Sequence, residues 1–168
     1  LIDKGVREYA EAARIVKAQF PKAIFQLAGR LDSNPSTISS NELNFWINEG
    51  SIQYMGEISS VQKIIASCRF YVLPSYREGT PRSVLEAMAT GRPIITTDTP
   101  GCRETVIHGK NGLLVSPQNS ESLANAMIQL LEENEGKTQS MGRESFILAK
   151  DKYAVKRVNK SIINILNL

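Results

Sequence analysis

Histidine occurs once in this chain, as His108, and cysteine twice, as Cys68 beside a strand-like run and Cys102 in a loop-like stretch, with no CxxC pair. No zinc site can be assembled from that inventory, and His108 reads as a surface loop residue. Two unpaired thiols, read as packing and loop residues, fit the reducing cytoplasm better than a disulfide-stapled secreted scaffold. No run approaches the roughly 18 consecutive apolar residues of a membrane helix, and no charged segment followed by an apolar signal core opens the chain. The formal net charge of +3 is too small to argue for a nucleic-acid partner. No GxGxxG string is present, which sets aside a dinucleotide-dependent dehydrogenase, and there are no internal repeats or low-complexity segments. What is present, 168 residues of which 42% are hydrophobic, suffices for one domain with one sizeable core.

The hydrophobic pattern alternates between two periods. Val6, Tyr9, Ala10, Ala13 and Val16 follow helical spacing, which predicts an amphipathic helix from about Gly5 to Gln19, ended by Pro21. Ala23 to Gly29 is then an apolar run with a glycine stop, read as a buried strand. A Ser/Asn/Pro-rich loop from Ser33 to Ser40 precedes a helix near Asn41 to Glu49 and a strand Ile52 to Met55 stopped at Gly56. Helix Ser60 to Ser67 leads to strand Phe70 to Leu73, and helix Pro81 to Thr90 to strand Ile94 to Thr97. Gly109-Lys110-Asn111-Gly112 has turn chemistry before strand Leu113 to Val115. Helices near Glu121 to Glu133, Gln139 to Lys150 and Val155 to Leu166 follow. Helices alternating with strands apolar on both faces predict an α/β fold with a doubly wound parallel sheet.

Residues 74–98 carry the densest chemistry. Pro74 to Pro81 leaves strand Phe70 to Leu73 at its carboxyl end, where ligands of parallel sheets bind. Thr80 reads as the N-cap of the next helix, Pro81 as its first residue and Gly91 as its left-handed stop, with Pro93 preventing continuation. The amides of Arg82 and Ser83 should lack intrahelical partners beside the positive end of the helix dipole, and Gly79 should let a ligand approach the backbone; an anion suits this place, although an internally satisfied strand-turn-helix junction fits the same residues. Helical phase turns Val84, Leu85 and Met88 to the sheet and leaves Glu86 on another side, where its carboxylate should meet solvent, a cation or ligand hydroxyls. Glu78 can present a second carboxylate to the same position. Carboxylates repel a diphosphate but accept from hydroxyls, so a sugar nucleotide suits the combination.

These strings, EGTPRSVLEAMATGRPIITTD, then PGCRETV and GKNGLLV, resemble the C-terminal donor domain of family 4 retaining glycosyltransferases, the Rossmann-like half of a GT-B fold. The hallmark pair of glutamates separated by seven residues falls on Glu78 and Glu86, and the resemblance runs from Asp3-Lys4-Gly5 to the final helices. It implies that Glu86 binds the ribose hydroxyls, that Glu78 with the Gly79-Thr80 backbone meets the transferred sugar and the diphosphate, and that Lys4 contacts the diphosphate. It places the base after the third strand of such domains, here at Gly56-Glu57-Ile58, through backbone contacts. Glu104 either braces the loop facing this site or contacts ligand; its type and position do not decide.

The resemblance and the composition carry further expectations. The activity implied is retaining transfer from a nucleoside-diphosphate sugar, a UDP-sugar of hexose or N-acetylhexosamine type, to a saccharide or lipid-linked acceptor in bacterial polysaccharide synthesis; a non-catalytic nucleotide-binding module and a GT-B-type UDP-sugar epimerase are the alternatives. No carboxylate-rich metal site is visible, so neither metal nor cofactor is expected. Acceptor contacts belong to an N-terminal domain outside this sequence, and this chain alone is expected to be inactive. In the resembled domains a strand and a basic residue precede Lys4-Gly5, and only Leu1-Ile2-Asp3 do so here. The central slot is therefore expected to be filled by another copy, by a rearranged terminal segment, or by closure of Ala23–Ala28 onto Phe70–Leu73. Lys150, Lys152, Lys156, Arg157 and Lys160 form a basic stretch with two readings, a solvated helix face and a surface for anionic lipid that would give the whole enzyme peripheral membrane association.

Overall fold

Five short parallel strands order the chain. In this computed structural model residues 2–31 and 37–166 are described, so residues 33–36 of the loop read from Ser33 to Ser40 lie outside the described residues. A 3₁₀ turn at Ile2–Lys4 leads into helix α1, Val6–Gln19, then strand β1, Gln26–Ala28, helix α2, Ser40–Asn48, and strand β2, Gln53–Gly56. Helix α3, Val61–Ser67, precedes β3, Tyr71–Leu73; helix α4, Arg82–Ala89, precedes β4, Ile94–Thr97; and a 3₁₀ turn at Arg103–Thr105 precedes β5, Gly112–Val115. Helices α5, Ser120–Glu132, and α6, Glu135–Leu148, a π-helical turn at Ala149–Tyr153 and α7, Val155–Leu166, complete the order.

The alternation predicted from periodicity is present. Strand β4 shows the reason: all four residues are buried, and Ile94 and Ile95, pointing to opposite faces as a strand requires, belong to two separate apolar cores. On one face Ile95 meets α1 and α5 through Ala10, Ala13, Val16, Met127 and Leu130. On the other, Ile94 meets Ile65 of α3 and Val84, Ala87 and Met88 of α4. Each fully buried large aliphatic side chain here stabilises the fold by about 1.5–3 kcal/mol. Of the expected stripe, helix α1 buries Ala10, Ala13 and Val16, with Ala12 beside them, and leaves Val6 and Tyr9 half-buried; it ends where Phe20 donates its amide to Val16, just before Pro21.

The sheet is nevertheless two sheets. β1 pairs with β2, and β3, β4 and β5 pair in that order, all parallel. The expected closure of the Ala23–Ala28 run onto β3 does not occur. Nor do the described N-terminal residues form a strand, because residues 2–4 are wound into the 3₁₀ turn. Among the described residues no strand lies between β1 and β3, and a cleft of about 870 Å³ opens there, lined by Phe25, Leu27, Phe70, Val72 and Tyr9. Because the Tyr71 amide bonds the Pro93 carbonyl, the alternation of a parallel ladder turns the polar backbone groups of Val72 towards this cleft. On the opposite edge the Gln26 carbonyl is met by the Tyr9 hydroxyl at 3.1 Å. The open edge also explains why Ala23–Gly29 is not the buried strand its composition predicts: only three residues pair, two are half-buried and Ala28 is exposed.

Other departures are local. Helix α6 starts at Glu135, four residues before the expected Gln139, because the Asn134 side chain accepts the Lys137 amide and caps a first turn whose Gly136 hid it. The GKNG turn is better built than its surface composition implies. Asn111, 1% exposed, accepts the Ile107 amide at 2.7 Å and donates to the Thr105 carbonyl at 3.1 Å, pinning the loop before β5.

Candidate functional site

The N-cap at the start of α4 falls one residue later than expected. Thr80 is exposed and is not the N-cap; Pro81, buried and extended at φ −71° and ψ 110°, occupies that place without a side-chain cap. Its carbonyl already accepts the amides of Val84 at 3.0 Å and Leu85 at 3.2 Å, which makes Arg82 and Ser83 the first two helical residues, ahead of the first intrahelical donor. The far end follows the sequence: Gly91, at φ 67°, donates to the Met88 carbonyl and stops the helix. Gly79 is exposed with open space where a side chain would begin, so a ligand can reach the backbone there.

Two carboxylates flank this helix start, each held by a cation. Glu86 pairs with Arg82 one turn earlier at 3.1 Å; the arginine is 93% exposed, so the pair is weak and exchangeable. Glu78, only 13% exposed at its side chain, forms a close ion pair with Lys4 and accepts the Ser75 hydroxyl at 2.8 Å. Tyr71 lies within the field of both. Burial pushes its phenol above the ordinary value, the hydrogen bond with Ser83 opposes this, and the charges of Glu86 and Glu78 push it up further.

Glycine makes the meeting of Lys4 with Glu78 possible. Gly5, at φ +68°, caps α1, and a Cβ built there would lie 2.1 Å from the Pro74 carbonyl oxygen. Gly101, at φ +82°, lies so close to the other side of the loop that a Cβ would stand 2.3 Å from the Glu78 carbonyl oxygen. Both positions need a left-handed backbone and the absence of a side chain. The N-terminal turn and the loop after β4 thus clamp Pro74–Gly79 from two sides. A further contact joins Tyr76, whose hydroxyl donates to Glu8 at 2.6 Å; burial and that carboxylate push the phenol up to about 12.

The expected base-binding residues divide. Glu57 and Ile58 line the cleft with Lys4 and Ser83, whereas the Gly56 carbonyl is taken by the Gly29 amide at 2.9 Å. Gly79, Thr80, Glu78 and Glu86 border the carboxyl end of β3 without lining the cleft itself. His108 is exposed, and its Nδ1 accepts the Leu114 amide at 3.0 Å, a local brace. The Glu104 carbonyl accepts from Lys152 and Tyr153, so its backbone ties the loop to the π-helical turn. Cys102 is buried and Cys68 half-buried, both as free thiols. Neither Ser75 nor Gly101 stands out from the pattern of the sequence alone. The available signals were a hydroxyl at an otherwise apolar strand exit and a glycine following a proline in the PGCRET string.

A doubly wound parallel arrangement with this helix terminus at its carboxyl edge is the Rossmann-like half of a GT-B fold. The family model of glycosyl transferases group 1 matches residues 2–133, and the chain belongs to that family. It is 40% identical over 130 residues, 77% of this chain and 33% of the relative, to N,N'-diacetylbacillosaminyl-diphospho-undecaprenol alpha-1,3-N-acetylgalactosaminyltransferase of Campylobacter jejuni. It is 25% identical over 129 residues, 77% of this chain and 34% of the relative, to the capsular polysaccharide biosynthesis glycosyltransferase CapM of Staphylococcus aureus. The chain therefore spans about a third of the length of these curated relatives. Among solved structures, S. aureus TarM superimposes with a TM-score of 0.86 at 21% identity, covering 100% of this chain and 33% of that one. HepE of Anabaena in complex with UDP gives 0.71 at 21% identity, covering 96% of this chain and 55% of that one. These likenesses establish the fold.

Proposed function

We propose that this chain is the donor-binding half of a retaining glycosyltransferase that takes a UDP-sugar, of hexose or N-acetylhexosamine type. The observation that carries the reading is the start of α4 at Arg82 and Ser83, ahead of the first intrahelical donor, with Glu86 paired to Arg82 and Glu78, in the loop that leads into the helix, paired to Lys4. The diphosphate sits against these amides and Lys4, Glu86 exchanges Arg82 for the ribose hydroxyls, and Glu78 accepts from the transferred sugar. Gly79, Thr80 and Pro81 shape the backbone around the phosphates, and Gly56-Glu57-Ile58 receive the base. Preorganised dipoles and one cation stabilise the departing diphosphate without side-chain rearrangement at the moment of transfer. The names of the relatives, an N-acetylgalactosaminyltransferase acting on a diphospho-undecaprenol and a capsular polysaccharide enzyme, support a saccharide or lipid-linked acceptor.

That acceptor is bound by a separate N-terminal domain, and the whole enzyme works in the cytoplasm, at the inner membrane face. Among the described residues no helix is long and apolar enough to cross a membrane. The cleft between β1 and β3 receives a further strand, and filling it raises both melting temperature and UDP affinity. The deciding experiment is titration calorimetry with UDP and a UDP-sugar. Glu86→Ala weakens both ligands by about 1–3 kcal/mol, the range for hydrogen bonds to charged groups. Glu78→Ala weakens the sugar nucleotide selectively. Equal losses for both ligands in both variants would overturn this division of roles. Chelation with EDTA leaves UDP affinity unchanged, since the site uses dipoles and Lys4 in place of a metal.

A further inference from the structure

Ser75 is fully buried immediately after β3, and its hydroxyl lies 2.9 Å from the Asp3 carbonyl and 2.8 Å from Glu78 Oε1. A hydroxyl has one proton and can serve one acceptor at a time. Each acceptor already holds another donor, the Asp3 carbonyl the Tyr76 amide at 2.8 Å and the Glu78 oxygen the Lys4 ammonium, but only the Glu78 oxygen bears charge. The carboxylate is therefore the favoured acceptor, and a charge-assisted bond is the stronger of the two. Nor does the hydroxyl have to hold its own backbone. The Thr97 hydroxyl donates to the Ser75 carbonyl, Tyr76 ties the next residue to Asp3, and Gly101 closes against Glu78–Gly79.

We propose that Ser75 is a positioning residue that holds the Glu78 carboxylate in place whether or not Lys4 is paired with it. This rests on the donor-site reading above and deepens it. Lys4 and Ser75 share one oxygen, Oε1 of Glu78. A diphosphate arriving at the start of α4 competes for Lys4, whose side chain is 43% exposed and free to swing, while Ser75 cannot leave. Without a second anchor Glu78 would follow the lysine or turn to water, and the contact with the transferred sugar would be lost. With it, the carboxylate keeps its orientation and offers Oε2 to a sugar hydroxyl as the ammonium moves to phosphate. The buried hydroxyls of Thr97 and Thr99, 3.0 Å apart behind the Ser75 carbonyl, stiffen the mount from the β4 side.

Three variants of the full chain, compared with the parent, separate the hydroxyl from the space it fills: Ser75→Ala, Ser75→Cys and Ser75→Thr. Cysteine keeps the volume but is a weak donor, so it serves even if alanine at this buried position fails to fold. Two measurements are made on each. Without ligand, the ¹⁵N-detected signal of the Lys4 ammonium reports the ordered pair with Glu78; it persists in the parent and Ser75→Thr and broadens into solvent exchange in Ser75→Cys and Ser75→Ala. With ligand, the ratio of affinities for UDP-N-acetylgalactosamine and UDP falls about tenfold in the two variants lacking a strong hydroxyl donor and is restored by threonine, while UDP affinity stays within about twofold. An unchanged lysine signal in Ser75→Cys and Ser75→Ala overturns the proposal. So does a parallel loss of both nucleotides tracking a lower melting temperature. If the parent binds no nucleotide, the donor-site reading fails, and the lysine signal alone decides whether Ser75 positions Glu78.

Discussion

The two sheets of this molecule are built from similar short parallel strands and have different fates. β4 is buried along its whole length between β3 and β5, with one isoleucine committed to each core. β1 has one neighbour, three paired residues and an open edge on the cleft. The three-stranded half carries α4, Ser75 and both site glutamates. The two-stranded half contributes Glu57 and Ile58, and it is joined to the other chiefly through α1 and the core that α1 shares with α5. The start of α4 is thus mounted on the packed half, and Glu57 and Ile58 lie against the open one. Rigidity and access are divided between the sheets.

The largest expected effect tests that division directly. Ile95→Ala empties a position fully enclosed between α1, α5 and the sheet, and unfolding in urea should show a loss of about 2–5 kcal/mol. Leu27→Ala, on β1 at the cleft, should cost less than half as much, because its side chain is only partly buried. Equal losses would mean that the cleft edge is as tightly packed as the centre. Next comes Gly5→Ala, which meets both a left-handed backbone and the Pro74 carbonyl; a loss of at least about 2 kcal/mol is expected in the same assay. That variant should also weaken UDP binding, since it pushes the turn that carries Lys4 away from the loop leading into α4, whereas Leu27→Ala should leave UDP binding nearly intact.

A smaller effect belongs to the contact between α1 and the loop after β3. Tyr76→Phe removes the donor to Glu8, whose other carboxylate oxygen is buried without a hydrogen-bond partner, and should cost about 1–3 kcal/mol. In the parent, ultraviolet titration should show this phenol ionising near pH 12; its stabilising share is present below the unfolded phenol value of about 10 and lost as the pH rises through 12. The smallest effect lies on the two-stranded half. Glu42 closes the capping box of α2 with Ser39 and pairs with Arg7, and these bonds, the arginine's first, hold its carboxyl at about 2. The folded value lies below the unfolded one, so the contribution is full above the ordinary carboxylate range and is lost as the pH falls through about 2. The stability difference between the parent and Glu42→Gln should therefore be present at pH 6 and shrink steadily in acid melts.

The alternation of helices and strands, the two ends of α4 to within one residue, the placement of Glu86 off the core face of its helix and the family itself were legible in order and spacing, because helical phase and turn chemistry act within a few residues. Thr80 against Pro81 at the cap was not, since both residue types suit the junction and only the Pro81 carbonyl bonds distinguish them. The same limit applies to Ala23–Gly29. Composition called for burial, but burial needs a neighbour on each side, and pairing partners are a property of the whole sheet. The meeting of Lys4 with Glu78, seventy-four positions apart, and the clamp of Gly5 and Gly101 on the loop between them were likewise decided by tertiary structure. Sequence determines which residues can turn, cap or alternate. Which distant carbonyl stands where a side chain would have been depends on strand order and on the packing of two layers of helices.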